Sequence, residues 1–179
     1  FVAGGLTLLP MFLLRQFLRV DDVVTTLLTN FVIILLVSFL LDGPWKDPYS
    51  LGWPQGAAII DAGVLPQLVP RSRLHLGFAI AVISAIIIWL VQSRTVFGFS
   101  GKAVGLNQSA ARHAGIPVTK TIICIGLLSG GMAGLAGASE TIGLKGYLTL
   151  DLSPGFGYTG IAVAMLGNLH PIGVIFAAI

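Results

Sequence analysis

Few side chains in this sequence stand where they could do covalent chemistry. Gly98-Phe99-Ser100-Gly101 has a Gly-x-Ser-Gly order that can present a serine nucleophile, and His170 is an imaginable base, but Ser100 lies in a polar stretch beside Lys102. Gly101-Lys102 has the Gly-Lys pair of a phosphate-binding loop. Yet Ala103 follows where Ser or Thr must hold the metal, and Val96 stands where the first Gly is needed. The one cysteine, Cys124, sits in an apolar run and reads as a small packing residue. No metal-spaced histidines or paired carboxylates fall within the apolar runs. The residues therefore predict no catalytic group, no metal and no cofactor.

What remains are polar groups in apolar surroundings. Asn30 lies in an uncharged run, where its amide needs a partner from another helix or from a ligand. Glu140 directly follows a Gly-rich apolar run, and an acid near hydrocarbon is a candidate for solute contact, although a helix end is easily solvated. Asn168 and His170 interrupt the last apolar stretch, where unwound backbone can line a polar pathway or simply turn at Pro171. Asn30, Glu140 and Asn168 are thus the candidate pathway residues.

The elements that must position these groups follow from composition. Of 179 residues, 55% are hydrophobic and 9% charged, far below the roughly 25% charge of soluble domains, so much of the surface faces lipid. Uncharged runs of about 20 residues can cross a bilayer as helices. Three meet that test, at about 23–41, 76–93 and 121–139. Shorter apolar pieces lie at 1–14, which carries Gly4, Gly5 and Pro10, and at 158–166 and 172–179, which together read as a broken or re-entrant helix. Phe1 in place of Met and the short final run make both ends read as truncated, within a single membrane domain. Gly126, Gly130, Gly134 and Ala138 recur every four residues, a small-residue stripe for close helix packing or, alternatively, for lining a cavity. The fold class is all-α, a polytopic transmembrane bundle.

Between the spans, 42–75 mixes prolines and charges with Trp45 and Trp53, as an extended loop with interfacial anchors does. By alternation Arg15, Arg19, Arg94, Lys102, Arg112 and Lys120 share one side, and Lys46, Arg71, Arg73 and Lys145 the other. That modest bias favours the cytoplasm for 94–120 and the outside for 42–75. The thinly spread basic residues leave no footprint for nucleic acid. Within 94–120, Asn107 can cap a helix, Ala110, Ala111 and Ala114 favour one, Gly115 suits its left-handed end and Pro117 prevents continuation. The spacing predicts a surface helix of about two turns, whose small-residue face suits a groove on another protein.

Gly98, Ala103-Val104-Gly105-Leu106-Asn107 and Ala110-Ala111-Arg112-His113-Ala114-Gly115-Ile116 resemble the cytoplasmic coupling segment of ABC permeases of the branched-chain amino acid, simple-sugar and nucleoside group. Val23 to Asn30, Leu128 to Gly137 and Gly155 to Gly167 are similar to that group in the same order. Asp21-Asp22, where relatives often carry Asn-Glu, and Ser100-Gly101-Lys102 before Ala103 depart from it.

The resemblance implies a plasma-membrane permease subunit of an ATP-driven importer, not itself an enzyme. It implies three protein partners: a separate ATP-binding cassette ATPase, a second permease subunit and an extracellular solute-binding protein. Gly105, Asn107, Ala110, Ala111, Arg112, Ala114, Gly115 and Ile116 would form the ATPase-coupling segment. The nucleoside branch is the nearest by Thr25 to Asn30, the long outer loop and Gly155 to Gly167, with simple sugars or branched-chain amino acids as alternative solutes. An ion-coupled carrier would need ion-binding groups near the bilayer midplane, and the three long runs carry no charge.

Overall fold

A computed structural model of the chain describes residues 1–18, 22–49, 52–60, 63–66 and 75–178. The described residues form α-helices joined by short turns, one long extended loop and two isolated β-bridges. The helices are α1 (Val2–Leu18), α2 (Asp22–Asp42), α3 (Leu76–Arg94), α4 (Val96–Leu106), α5 (Gln108–His113), α6 (Val118–Glu140), α7 (Phe156–Leu166) and α8 (Pro171–Ala177). By length and composition α2, α3 and α6 can each cross a membrane, and α7 with α8 form a pair bent by 114°. Large apolar side chains on α2 and α3 point outward, Leu35 and Phe39 being about 70% exposed. Such a surface is stable in hydrocarbon and not in water. Helices long and apolar enough for the three expected spans, and the expected bent pair near the C-terminal end, are present. Of the residues that fixed the sidedness, Arg19, Arg71 and Arg73 lie outside the described residues, and α1 continues past Arg15 to Leu18.

Each helix end has a local cause. The His75 side chain accepts the Gly77 N–H at 3.0 Å and so caps α3. At the other end Thr95 serves two helices: its hydroxyl donates to the Val91 carbonyl at 2.6 Å and accepts the Gly98 N–H at 3.2 Å. One residue thereby ends α3 and starts α4. Helix α6 does not stop at Glu140 but widens into a π turn, Thr141–Lys145, that closes at left-handed Gly146. The Lys145 ammonium then donates to the Asp151 carbonyl, which pins the linker to α7.

The most extensive packing among the described helices is α1 against α6. It is a backbone contact, since a Cβ on Gly4 would come 2.5 Å from the Gly130 carbonyl oxygen and 2.8 Å from Gly134 Cα. Gly130 and Gly134 of the four-residue stripe therefore face α1. Gly126 is buried next to α4, and Ala138 is exposed. Interhelical approach this close gains dispersion energy that side-chain burial cannot supply in lipid.

At the far end of α6 the long loop docks by backbone pairing. The Gly56 N–H donates to the Leu148 carbonyl, Ile59 to Gly146 and Leu65 to Ile142, at 2.7–3.2 Å, and Gln55 bridges to Thr149. Trp45, Tyr49 and Trp53 are left exposed on its surface.

Candidate functional site

The segment 94–120 is not one short helix in a loop. It is two helices, α4 and α5, folded against the base of α6. The sequence reading missed α4 because Lys102 and three glycines make its eleven residues look like loop. The signal was present in Val96, Phe99, Ala103 and Leu106, which recur at helical spacing. Helix α4 turns back sharply on α3. A Cβ on buried Gly98 would lie 2.5 Å from Gln92 Cα and from the Val91 carbonyl oxygen, so only Gly fits.

Asn107 is the single residue between α4 and α5. Its N–H donates to the Ala103 carbonyl at 3.1 Å, ending α4, and its side-chain Oδ1 accepts the Ala110 N–H at 3.0 Å, starting α5. The end of α5 is a Schellman motif. The Ile116 N–H reaches the Ala111 carbonyl at 3.0 Å, the Gly115 N–H reaches Arg112 at 3.1 Å, and Gly115 is left-handed at φ +79°. Ala111 and Ile116 then pack with Val104 and Val118 in the best-formed apolar cluster of the described residues. Asn107→Ala removes the side-chain acceptor, and we expect a loss of about 1 kcal/mol, read as a lower melting temperature of the complete detergent-solubilised protein.

The eight residues assigned to this segment therefore divide. Ala111 is buried and Ile116 half-buried, so both seat α5. Gly105, Asn107, Ala110, Arg112, Ala114 and Gly115 are exposed. His113 Nδ1 bonds the Ser109 carbonyl at 2.8 Å, leaving a smooth outer face of small residues flanked by Arg112.

Asn30, Glu140 and Asn168 are not brought together. Asn30 is on an exposed face of α2. Asn168 is in the tight turn between α7 and α8, where Asn168 and Leu169 both take positive φ and Gly167 is pressed against Val174. Glu140 alone lines a cavity, of about 620 Å³ between the end of α6 and the start of α7, with Ser139, Ser153 and Phe156. Those three were not foreseen as site residues; only the position of Ser139 beside Glu140 hinted at one of them. Among the described residues no cluster of three or more His, Cys, Asp or Glu could hold a metal ion.

A multi-pass helical membrane protein with a two-helix knuckle at the base of one span is the class these features define. The family model described as the permease component of the branched-chain amino acid transport system matches residues 1–179, and the chain belongs to that family. It is 35% identical over 98% of its length to the guanosine ABC transporter permease protein NupP of Bacillus subtilis. To the nucleoside ABC transporter permease protein NupB of Lactococcus lactis it is 30% identical over 93%. The glucose ABC transporter permease protein TsgB13 of Haloferax volcanii is 34% identical, also over 93%. The chain spans 46–51% of the length of these curated relatives. No solved structure matches it.

Proposed function

We propose that this chain is part of the membrane-spanning permease of an ATP-driven importer for nucleosides, with ATP hydrolysed on a separate cassette subunit. The observation that carries the reading is the similarity, over nearly the whole chain, to a permease named for guanosine. The α4–α5 knuckle supports it physically. A stiff pair of helices rooted in the Val104, Ala111 and Val118 cluster can transmit a push on α5 to α6, whereas a solvated loop cannot. In this reading the outer faces of Ala110 and Ala114 meet the ATPase in the cytoplasm. The loop at 42–75 lies outside, towards an extracellular solute-binding protein, and the exposed apolar faces of α2 and α3 meet lipid and a second permease subunit.

Simple-sugar import is the second reading, favoured by the similarity to the glucose permease. Uptake of labelled guanosine by cells carrying the complete permease with its ATPase and binding protein tests both. We expect ATP-dependent accumulation that other nucleosides compete with and leucine does not. Competition by glucose but not nucleosides would select the second reading, and uptake of leucine alone would overturn both.

A further inference from the structure

The cavity at the α6–α7 elbow carries more information than its position. Among the described residues Glu140, half-buried on the last turn of α6, is the only charged one in the lining, and its carboxylate has no hydrogen bond and no ion pair. The nearest ammonium along the chain, Lys145, is engaged with the Asp151 carbonyl and with Thr149 Oγ1 at 3.5 Å. The Ser139 hydroxyl donates to Ala136 O at 2.8 Å, so its remaining capacity is as an acceptor. The small residues Gly137 and Gly157 leave room, and Phe156 offers a flat apolar face. Directly beyond, the helix widens into the π turn, a distortion that frequently marks functional sites. The volume, about 620 Å³, is that of a small-molecule site.

An acceptor-only carboxylate beside an acceptor hydroxyl, with no cation among the described lining residues, selects a ligand by what it donates. Two adjacent hydroxyls can donate to the two carboxylate oxygens together, while a phosphate would meet like charge at Glu140, with no counter-ion among the described lining residues. We propose that this cavity is a binding subsite for the vicinal diol of an uncharged sugar ring, held by Glu140 with Phe156 packed on the ring face. The diol belongs equally to the ribose of a nucleoside and to a free sugar. Phosphorylated forms meet like charge at Glu140. This inference rests on the importer reading and deepens it.

The test is competition binding of labelled guanosine and labelled glucose to the purified complete permease–ATPase complex in nanodiscs, without binding protein, with 2′,3′-dideoxyguanosine and guanosine monophosphate as competitors. In the native protein the dideoxy compound and the monophosphate should each compete at least roughly tenfold more weakly than guanosine, because charge-assisted hydrogen bonds are lost or like charge is added. Glu140→Gln should lower affinity for guanosine by roughly 10- to 100-fold while leaving the dideoxy compound nearly unchanged, collapsing the ratio between them. Phe156→Leu should weaken both and preserve the ratio. Because the ratio is measured within one preparation, poor folding of a variant cannot imitate it. Glucose binding in place of guanosine, with the same dependence on Glu140, assigns the diol to a free sugar. A complex that takes up guanosine with its binding protein but binds neither solute without it overturns this inference and leaves the importer reading standing. Native binding with an unchanged ratio in Glu140→Gln overturns this inference alone.

Discussion

Gly98→Ala should cost the protein more than any other single methyl group on the α4–α5 knuckle. The added Cβ would meet Gln92 Cα and the Val91 carbonyl oxygen at 2.5 Å, and both are backbone atoms of α3. No side chain can rotate away, so α4 must swing off α3, breaking the Gly98 N–H bond to Thr95 and pulling Val104 from Ala111 and Val118. Overpacking of this kind costs about 1–3 kcal/mol, and a clash of backbone on backbone belongs at the upper end. The expected result is a clearly lowered melting temperature of the complete detergent-solubilised protein, together with loss of solute-stimulated ATP hydrolysis by the assembled transporter.

Two neighbouring glycines provide the comparison. Gly105→Ala meets nothing within 4 Å and removes a helix-weakening Gly, so stability should hold or rise by a few tenths of a kcal/mol. Gly101→Ala meets only the flexible tip of Ile125 at 3.1 Å, and its effect should be small. If Gly98→Ala melted no lower than these two, the close α3–α4 approach would be wrong.

Bulky residues on α5 should separate seating from contact. Ala111 is 3% exposed and touches the apolar cluster, so Ala111→Trp should unseat α5 and destabilise the protein by several kcal/mol. Ala110 and Ala114 face outward, and Trp at either should leave the melting temperature within about 0.5 kcal/mol of native stability. On the proposed function, the same two substitutions should nevertheless reduce co-purification of the ATPase and cut solute uptake at least tenfold, because the groove that receives a small-residue face has no room for an indole. Normal ATPase association in both Ala110→Trp and Ala114→Trp would remove the coupling role from this face, whatever Ala111→Trp did.

The parts of this structure that were legible beforehand are those with local causes. Val23 to Leu41 must be helical in lipid whatever surrounds it, since an uncharged run of that length can satisfy its backbone in no other way. Asn107, Gly115 and Pro117 carried the limits of α5 for the same reason: caps are written into neighbouring residues. Contacts between distant segments were not legible. Nothing near Gly4 announces that Gly130 and Gly134 will lie against it, and nothing in Gln55 or Gly56 announces a partner in Leu148 or Thr149. The division of α5 into a buried Ala111 and exposed Ala110 and Ala114 required knowing where α4 and α6 stand, because three alanines look alike in sequence. Glu140 was visible as an acid in an odd place, but Ser153 and Phe156 reach it only after a turn that the sequence does not specify.

The glycine crossing of α1 on α6 fixes where α6 can pivot. At Gly4 no side chain stands between the backbones, so there is little slack to absorb motion, and this approach lies off-centre, around Gly130 and Gly134. At about 1.5 Å per residue, roughly 21 Å of helix lies on the Val118 side and roughly 12 Å on the Glu140 side. A tilt of α6 about that crossing would make it a lever with unequal arms, so that a displacement at Val118 would arrive at Glu140 reversed in direction and reduced to about half its amplitude.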